Sequence, residues 1–266
     1  MTRSTKSQDA KATKVPPGNP VPAKIKFDLS TYARFMANSC TKELVSRYET
    51  DAITAKQAVQ IVIDDLTRLN AAYFAKNSRT LFTTLDGRVK GKDSFFAKLF
   101  EHCKEACKSE GFDRHNFNSW YESIHDLGGV RFSCPYFDEI ESAVKDHIRP
   151  HLEPRGYGTD LSSLGLKDKD YLDKGDVNGY RSYHFYLKVP TPVDIYGATK
   201  AVVCEIQGRS ELQHVWAVKS HDLLYKNERG WLKPTAETVK DMQELSNNLR
   251  AVDHFLMKIR RSVRGK

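Results

Sequence analysis

Val203-Cys204-Glu205-Ile206-Gln207-Gly208-Arg209 ends an apolar run that begins at Ala201. The run predicts a buried strand. Because side chains alternate between the two faces of a strand, Glu205, Gln207 and Arg209 point to the same side. An acid and an arginine on one face at the end of a strand suit a metal ion and a phosphate. The alternative is a surface strand that carries a salt bridge.

A basic cluster lies upstream, where a short strand at residues 80–86 turns into a helix predicted over Ser94–Ser109. Free backbone N–H groups and the helix dipole favour anions at such a helix start. We interpret the cluster as a polyphosphate site, and the alternative is a solvated basic turn. Its members are Arg88, Lys90, Lys92, Ser94 and Lys98.

Asp126-Leu-Gly-Gly-Val-Arg131 places an aspartate just before a strand predicted over Val130–Cys134. The paired glycines let the backbone approach a ligand closely. Asp126 and Glu205 together supply two carboxylates for Mg²⁺, an ion usually held by one or two carboxylates plus substrate phosphates. His125 beside Asp126 resembles a metal-hydrolase pair, but companion histidines at suitable spacing are missing.

Asn178-Gly-Tyr-Arg-Ser-Tyr-His184 joins an Asn-Gly turn to a strand predicted over Tyr183–Val189. Tyr180, Ser182 and His184 share one face of this segment, and Arg181 points to the other. An aromatic ring beside a turn, near arginine and histidine, suits a nucleobase stack with phosphate contacts. The alternative is a strand with one face in the core.

Helix boundaries follow from capping and proline signals. Two helices, 29–49 and 54–76, are predicted near the N-terminus, the second opened by a capping box at Thr54-Ala-Lys-Gln57. A helix from Phe137 to Ile148 is expected to stop at Pro150. A second capping box, Ser210-Glu-Leu-Gln213, opens a helix to about Lys226, and a last helix runs from Pro234 to about Arg261.

Strands interspersed with helices predict an α+β fold, a mixed sheet flanked by helices. Four segments differ in composition, and the first is a flexible basic arm with four prolines. The others are a helical region, a mixed region that carries all the motifs above, and a C-terminal helical extension with a basic tail. Their bounds are 1–26, 27–79, 80–226 and 227–266.

The positive charge of the chain, +8 at pH 7, lies in its ends. Residues 1–26 and 257–266 hold eleven Lys/Arg and one acid, whereas residues 27–256 hold 31 Lys/Arg and 33 acids. A body of net charge −2 disfavours a nucleic-acid binder that uses its whole surface. The basic ends can still contact RNA or an acidic partner.

Five cysteines without a C-x-x-C pair predict neither a disulfide framework nor a zinc site. No apolar run approaches the length of a membrane span, and no apolar segment follows the basic N-terminus as a secretory signal requires. These features favour a reduced, cytoplasmic setting without membrane partners.

In order and spacing, the motifs resemble the synthetase domain of RelA/SpoT-type alarmone enzymes in its short form, the small alarmone synthetases. The match covers about residues 80–226. Each motif alone is weak, and the ordered set is specific. The family patterns Arg-x-Lys-x-x-x-Ser-x-x-x-Lys, Asp-x-x-Gly-[Ile/Val]-Arg, Asn-Gly-Tyr-Arg-Ser-x-His and Glu-[Ile/Val]-Gln-x-Arg-[Thr/Ser] appear as Arg88–Lys98, Asp126–Arg131, Asn178–His184 and Glu205–Ser210, followed by Trp216, His221, Tyr225 and Lys226.

The resemblance implies a nucleotidyltransferase-like sheet and a pyrophosphokinase. Such an enzyme transfers the β,γ-pyrophosphate of ATP to the ribose 3′-hydroxyl of GDP or GTP, making (p)ppGpp and AMP. Asp126 and Glu205 would bind Mg²⁺, and Glu205 would also activate the hydroxyl. The chemistry agrees, because attack on a polyphosphate needs charge neutralisation and a ribose hydroxyl needs a base or a metal.

Further roles are implied residue by residue. Arg88 and Arg131 would sandwich the adenine of ATP, with Lys90, Ser94 and Lys98 on its phosphates. Tyr180 would stack on the acceptor base. Asn178, Arg181 and His184 would lie near the acceptor, and Gln207, Arg209, His221 and Lys226 would support the site.

Three departures from the family pattern are expected to affect the acceptor side. Gly175-Asp176-Val177 stands where Pro-Lys-Pro is common, so an acid replaces a lysine that could meet acceptor phosphates. Gly208 replaces a branched apolar residue, and Gly128 replaces a larger one.

Two alternative functions stay open. A toxin-type relative would make adenosine alarmones or pyrophosphorylate the 3′-CCA end of tRNA, and would need a neutralising antitoxin partner. A nucleotide- or RNA-binding module would have lost catalysis, although binding alone does not require both Asp126 and Glu205. The last helix carries an apolar stripe, which we expect to make an intramolecular core contact, and a homo-oligomer is the alternative use. The stripe consists of Val239, Met242, Leu245, Leu249 and Val252.

Overall fold

A computed structural model describes residues 29–110, 114–190, 201–225 and 234–264. The predicted basic arm, residues 1–26, lies outside these ranges. The α-helices are α1 Tyr32–Ala37, α2 Ser39–Asn77, α3 Lys92–Glu110, α4 Arg114–Glu122, α5 Glu139–Ser142, α6 Arg149–Leu152, α7 Glu211–Ser220 and α8 Ala236–Arg264. The strands are β1 Thr84–Val89, β2 Gly128–Cys134, β3 Lys169–Asp170, β4 Tyr183–Pro190 and β5 Ala201–Ser210.

The five strands form one mixed sheet in the order β1-β2-β5-β4-β3. β2 and β5 run parallel, and the other neighbouring pairs are antiparallel. Helices flank the sheet, so the predicted α+β architecture is confirmed. The strand predicted over Ala201–Ile206 extends further than expected, to Ser210, because β5 stays paired with β2 as far as Ser210.

One face of the sheet is apolar and packs against α2 and the α5 region. Its centre is formed by Val130, Phe132, Phe185 and Ile206, all almost fully buried. α2 approaches β1 so closely that a Cβ on Gly87 would lie 2.5 Å from Val59 Cγ1. The opposite face is polar and carries the site described below.

A second apolar core joins the helices that precede and follow β1. Phe35 of α1, Leu44 and Tyr48 of α2, and Phe96 and Leu99 of α3 are buried together there. The Tyr48 hydroxyl donates to the carbonyl of Lys90 at 2.6 Å, which fixes the link between β1 and α3. This core therefore anchors the predicted basic turn to the helical region.

The predicted break between two N-terminal helices is wrong. α2 is continuous for 39 residues, and Thr54 lies inside it. The Thr54 hydroxyl donates to the carbonyl of Thr50 at 3.2 Å instead of capping a helix start. The helix has no glycine or proline to stop it, and its buried residues on both sides of Thr54 pack on the two cores.

Pro150 does not end its helix as predicted. α5 continues through a π-helical segment, Ala143–Ile148, into α6. Pro150 falls in the first turn of α6, where an α-helix needs no N–H donor. The widened turn therefore accommodates a proline that a regular helix would exclude.

The link between α6 and β4 contains short 3₁₀ turns at Glu153–Arg155 and Ser162–Leu164, and strand β3. The capping box at Ser210 is confirmed, because its hydroxyl oxygen accepts a hydrogen bond from the backbone N–H of Gln213 at 3.2 Å. α7 then passes into a π-helical turn, His221–Tyr225. None of the described helices is long and apolar enough to cross a membrane.

Candidate active site

The polar face of the sheet is built from two rows of cross-strand partners. Paired residues share a face. In one row, Arg88 of β1 pairs with Gly129 of β2, Gly129 with Glu205 of β5, and Glu205 with Tyr186 of β4. The sheet thus brings residues from four strands to one surface.

The second row lies two residues away on each strand, later along β2 and β5 and earlier along the antiparallel β1 and β4. Asp86 pairs with Arg131, Arg131 with Gln207, and Gln207 with His184. The Nε of Arg131 donates to Gln207 Oε1 at 3.1 Å. The alternation predicted for Glu205, Gln207 and Arg209 holds, because all three line a single cleft.

That cleft has a volume of about 610 Å³, within the range of ligand sites in proteins. Its floor is the polar sheet face, and one wall is α7 with the turn that follows it. The other wall is the turn at residues 175–180, called here the tyrosine turn. The predicted site residues on its lining are Arg88, Asp126, Arg131, Tyr180, His184, Glu205, Gln207, Arg209 and His221.

Asp126 meets two of the predicted phosphate-binding lysines. Its Oδ2 accepts hydrogen bonds from Lys90 Nζ at 2.7 Å and Lys98 Nζ at 2.9 Å. Burial alone would raise the pKa of this carboxyl, but the two lysines hold the pKa below its usual value. Asp126 is therefore ionised at neutral pH.

Glu205 is held by three neighbours. Its Oε1 lies 3.2 Å from His184 Nδ1 and 3.4 Å from the Tyr186 hydroxyl, and its Oε2 accepts from Gln207 Nε2 at 2.6 Å. Burial would raise its pKa, but the hydrogen bond and charge of His184 lower the pKa below 4.5. The carboxylate is thus ionised and oriented.

Three arginines, Arg88, Arg131 and Arg209, lie together in the cleft. Arg131 is largely enclosed, and burial followed by repulsion from Arg88 and Arg209 lowers its pKa to about 10. Acids line the cleft as well, but the three guanidiniums lie close enough to repel one another, which indicates an anionic ligand beside them. Arg88 is exposed at the rim, as a side chain available to a ligand should be.

Tyr180 projects from the tyrosine turn into the middle of the cleft. Its hydroxyl accepts from Arg209 Nη2 at 2.6 Å and lies 2.8 Å from His184 Nε2. The Arg209 guanidinium also lies 4.8 Å from the centroid of the Tyr180 ring. One face of the ring is therefore taken by a cation, and a base would use the other.

Besides Arg181, which is described below, four predicted site residues in the described ranges lie off the cleft lining. Ser94 is exposed in the first turn of α3, and Asn178 lies in the tyrosine turn, its N–H donating to Asp176 Oδ1 at 2.8 Å. Lys90 and Lys98 reach the site only through Asp126. Lys226 falls outside the described residues.

Arg181 is placed away from the position that the resemblance implied. It is 3% exposed, and its Nη1 donates to the carbonyl of Leu172 at 3.0 Å. Its Nε and Nη2 donate to Ser246 and Asn247 of α8 at 3.2 and 2.8 Å. Because it follows Tyr180 in an extended segment, its side chain points away from the cleft.

Among the residues that sequence reasoning did not assign to the site are Tyr186, whose hydroxyl lies 3.4 Å from Glu205 Oε1, and Trp216. Tyr186 could have been found, because it continues the alternation of Tyr180 and His184 and is the cross-strand partner of Glu205. Trp216 lines the cleft although it is 1% exposed, and its Nε1 donates to the carbonyl of Met242 at 2.7 Å. That contact depends on α8 and leaves no mark in the local sequence.

The expected effect of Gly128 and Gly208 on the acceptor side is not supported by their positions. Both lie on the apolar face of the sheet. A Cβ on Gly208 would lie 2.5 Å from Phe132 Cζ, and one on Gly128 would lie 3.1 Å from Cys204 Sγ. These glycines make room for core side chains.

The carboxylates fit a divalent cation that also binds phosphates. Asp126 Oδ1 is buried and has no hydrogen-bond partner. Asp126 and Glu205 line the same cleft, and the charge of Asp126 partly opposes the lowering of the pKa of Glu205 by its other neighbours. Two carboxylates and open positions suit Mg²⁺, whereas the described residues hold no group of three or more His, Cys, Asp or Glu as a closed protein site needs.

Comparison with known proteins agrees with the geometry. A family described as "Region found in RelA / SpoT proteins" matches residues 87–230. Two proteins of Bacillus subtilis (strain 168) are similar. GTP pyrophosphokinase YwaC is 28% identical over 176 residues, which are 66% of this chain and 72% of that protein. GTP pyrophosphokinase YjbM is 25% identical over 180 residues, 68% and 74% of the two chains.

Solved structures share the fold. Small alarmone synthetase 1 from Bacillus subtilis, bound to its product pppGpp, superposes with a TM-score of 0.63 at 23% identity, covering 82% of this chain and 99% of that one. A GTP pyrophosphokinase family protein from Streptococcus pneumoniae gives 0.61 at 21% identity, covering 82% and 96%.

Proposed function

The chain belongs to the family of RelA and SpoT regions, and from that premise we propose that it is an ATP-dependent pyrophosphokinase that acts on GDP or GTP. The observation that carries the proposal is the pair of ionised carboxylates, Asp126 and Glu205, in a cleft with three arginines. The relatives named GTP pyrophosphokinase support the choice of acceptor.

The proposed reaction is a transfer of pyrophosphate in which the Glu205 carboxylate takes part. The 3′-oxygen of the acceptor attacks the β-phosphorus of ATP, and its proton passes to the Glu205 carboxylate. The bond between the β-phosphorus and the α,β-bridging oxygen breaks, and AMP leaves. His184 and Gln207 hold the Glu205 carboxylate in one orientation, from which it would position the hydroxyl and accept its proton.

Binding of ATP falls to the β1 and β2 side of the cleft. Arg88 and Arg131 stand on neighbouring strands, with Arg131 two residues beyond the partner of Arg88, so the two guanidiniums can flank an adenine. Lys90 and Lys98 lie beside Asp126 and would meet the phosphates. Charge neutralisation of this kind supplies most of the catalysis of phosphoryl transfer.

Asp126 and Glu205 would hold Mg²⁺, with Asp126 Oδ1 as the free ligand atom. When bound, the ion neutralises phosphate charge that the arginines and lysines leave uncompensated. The two lysines on Asp126 Oδ2 keep the carboxylate ionised until then.

A second candidate is a toxin-type relative that modifies ADP, ATP or the 3′ end of tRNA and is neutralised by an antitoxin. The observation behind it is Asp176, an acid on the cleft lining where the family commonly has a lysine. An acid there would disfavour any acceptor that places a charged 5′-polyphosphate next to it, so the observation favours the 3′ end of tRNA over GDP, GTP, ADP and ATP alike.

The test uses ATP labelled on the γ-phosphate, Mg²⁺, and GDP, GTP, ADP or tRNA in separate reactions. Label on GDP or GTP supports the proposal, and label on ADP or tRNA supports the second candidate. Glu205→Gln should abolish transfer and leave binding of a non-hydrolysable ATP analogue within about threefold. Glu101→Gln, on the exposed face of α3, is the matched control.

Unchanged transfer by Glu205→Gln would contradict the assigned role. ATP binding without transfer to any acceptor would favour a binding module.

A further inference from the structure

α8 holds the tyrosine turn, although no α8 side chain within residues 236–264 lines the cleft. The family match ends at residue 230, before α8 begins at Ala236. The helix nevertheless packs beside the cleft, where Trp216 bonds to the backbone of Met242. An element outside the matched region is therefore part of the framework of the site.

The tyrosine turn is closed internally by Asp176. Its Oδ1 accepts from the backbone N–H groups of Asn178 and Tyr180, both at 2.8 Å. Its own N–H donates to the carbonyl of Tyr180 at 2.9 Å. Gly179 takes a φ of 88°, which a residue with a side chain rarely adopts. The turn is thus a compact unit that ends in Tyr180.

Two α8 side chains attach this unit to the helix. Ser246 is completely buried, and its hydroxyl donates to the carbonyl of Gly179 at 2.5 Å. Gln243 Nε2 donates to the carbonyl of Val177 at 2.5 Å. The helix approaches so closely that a Cβ on Gly179 would lie 3.1 Å from Gln243 Cα. A side chain at position 179 would require the backbone of α8 to shift by a few tenths of an ångström.

Ser246 also connects the turn to Arg181. Its Oγ accepts from Arg181 Nε at 3.2 Å, while Asn247 Oδ1 accepts from Arg181 Nη2 at 2.8 Å. The residues on both sides of Tyr180 are therefore bonded to one helical turn of α8. Tyr180 itself points the other way and meets Arg209 and His184 in the cleft.

We propose that Ser246 and Gln243 are positioning residues for acceptor binding. They fix the tyrosine turn, and with it the Tyr180 ring, above the polar sheet face. The inference rests on the proposed function only for the identity of the molecule that Tyr180 binds. A change at Ser246 moves the wall of the cleft that carries Tyr180 and leaves the Arg88–Arg131 side in place.

The first variant is Ser246→Ala, and the matched control is Ser262→Ala on the same helix, whose hydroxyl bonds only to the carbonyl of Ile259. Steady-state rates with GDP give the acceptor KM and kcat, and calorimetry gives the Kd of a non-hydrolysable ATP analogue. Hydrogen–deuterium exchange follows the amides of residues 175–180 without any need for turnover. Gln243→Ala, at a half-buried position, is a second variant that spares the buried core.

Ser246→Ala should raise the KM for GDP about tenfold, the size expected for loss of a buried hydrogen bond. The kcat and the Kd of the ATP analogue should stay within about twofold, because binding lost equally in ground and transition states appears in KM alone. Amide exchange in the turn should speed up. Gln243→Ala should act in the same direction, and Ser262→Ala should change nothing.

Exchange in the turn that is no faster in Ser246→Ala than in Ser262→Ala would overturn the inference. A parallel rise in the GDP KM and in the Kd of the ATP analogue would do so as well, since it would indicate general loosening. If the unmodified protein transfers pyrophosphate to no acceptor, the proposed function fails. The exchange measurement then still decides whether α8 positions the turn.

Discussion

At the scale of single residues, Asp176 is a charged side chain whose contacts in the structure are hydrogen bonds within a turn. In the sequence, Asp176 stands where the family commonly has a lysine, and this replacement predicts a different preference among acceptors. In the structure its Oδ1 accepts two backbone N–H groups of the tyrosine turn. Such side-chain bonds to the backbone two residues on are a common use of aspartate in turns. The charge and the hydrogen bonds are separable by substitution.

Asp176→Asn keeps an oxygen that can accept both N–H groups and removes the charge. We expect the acceptor KM of this variant to stay within about threefold, whereas Asp176→Ala should raise it about tenfold through loss of the turn. Rates with GDP, GTP and ADP measure both effects. A switch of acceptor preference in Asp176→Asn would show that the charge itself selects the acceptor.

Gly208 is a residue whose role follows from packing alone. Gly208→Ala should destabilise the protein by about 1–3 kcal/mol, because the added Cβ meets the Phe132 ring and Ile140. Gly91→Ala is the matched control, since a Cβ there meets no atom within 4 Å. Urea unfolding measures both.

Phe132→Leu in the Gly208→Ala background should recover part of the loss by freeing the space that the ring fills. Equal stability of the two glycine variants would contradict this account.

At the scale of elements, β2 and β4 were predicted better than helix ends, whereas the strand predicted at residues 80–86 lies at Thr84–Val89. β2 and β4 follow from alternation and apolar runs, because one face of each is buried in the core. The end of a helix depends on competition between local caps and distant packing. At Thr54 the buried residues of α2 outweigh the cap, and at Pro150 the π-helical segment absorbs the proline.

The site could be predicted only where one strand supplies it. Glu205, Gln207 and Arg209 follow from alternation within β5. The bond of Trp216 to Met242 and the attachment of the tyrosine turn to Ser246 join residues 26 and 67 positions apart. Local sequence patterns carry no signal for such contacts, because the tertiary fold decides where α8 packs against the rest of the chain.

Substitutions in the two predicted capping boxes should differ in how much they destabilise the protein. Ser210→Ala should destabilise by about 1–2 kcal/mol, since its hydroxyl caps α7 and also donates to buried Asp253 at 2.6 Å. Thr54→Ala should change stability by less than about 0.5 kcal/mol, because Thr54 lies within α2. Thermal unfolding of both variants gives the comparison. A loss of about 1 kcal/mol at Thr54 would indicate a helix start there after all.

At the scale of the whole molecule, α8 presents one buried face and one exposed apolar face. One packs on the body through Met242, Ser246 and Asp253. The other leaves apolar side chains exposed at a spacing of three and four residues, the pattern of a helix-pairing stripe. Its exposed members are Leu245, Val252, Phe255, Leu256, Ile259 and Val263. The predicted intramolecular use of the apolar residues of α8 therefore accounts for only part of them.

The charges beside this stripe point to a second copy of the chain. Exposed Glu244 and Lys258 lie seven residues before and after Ala251 on the same flank. In an antiparallel pair of α8 helices centred near Val252, each Glu244 would approach the Lys258 of the other copy. A two-fold pair is self-complementary in this way. We therefore expect the protein to self-associate through α8.

Sedimentation of the full chain tests the pairing. Val252→Glu should weaken self-association at least tenfold, because it places two carboxylates near the axis, whereas Leu164→Glu, at another exposed apolar residue, should not. Glu244→Lys and Lys258→Glu should each weaken it alone, and an equal mixture of the two should associate again, since every like-charged contact becomes an opposite pair. A monomer at all concentrations, or an oligomer indifferent to these changes, would rule out pairing through α8 and leave the stripe to another occupant.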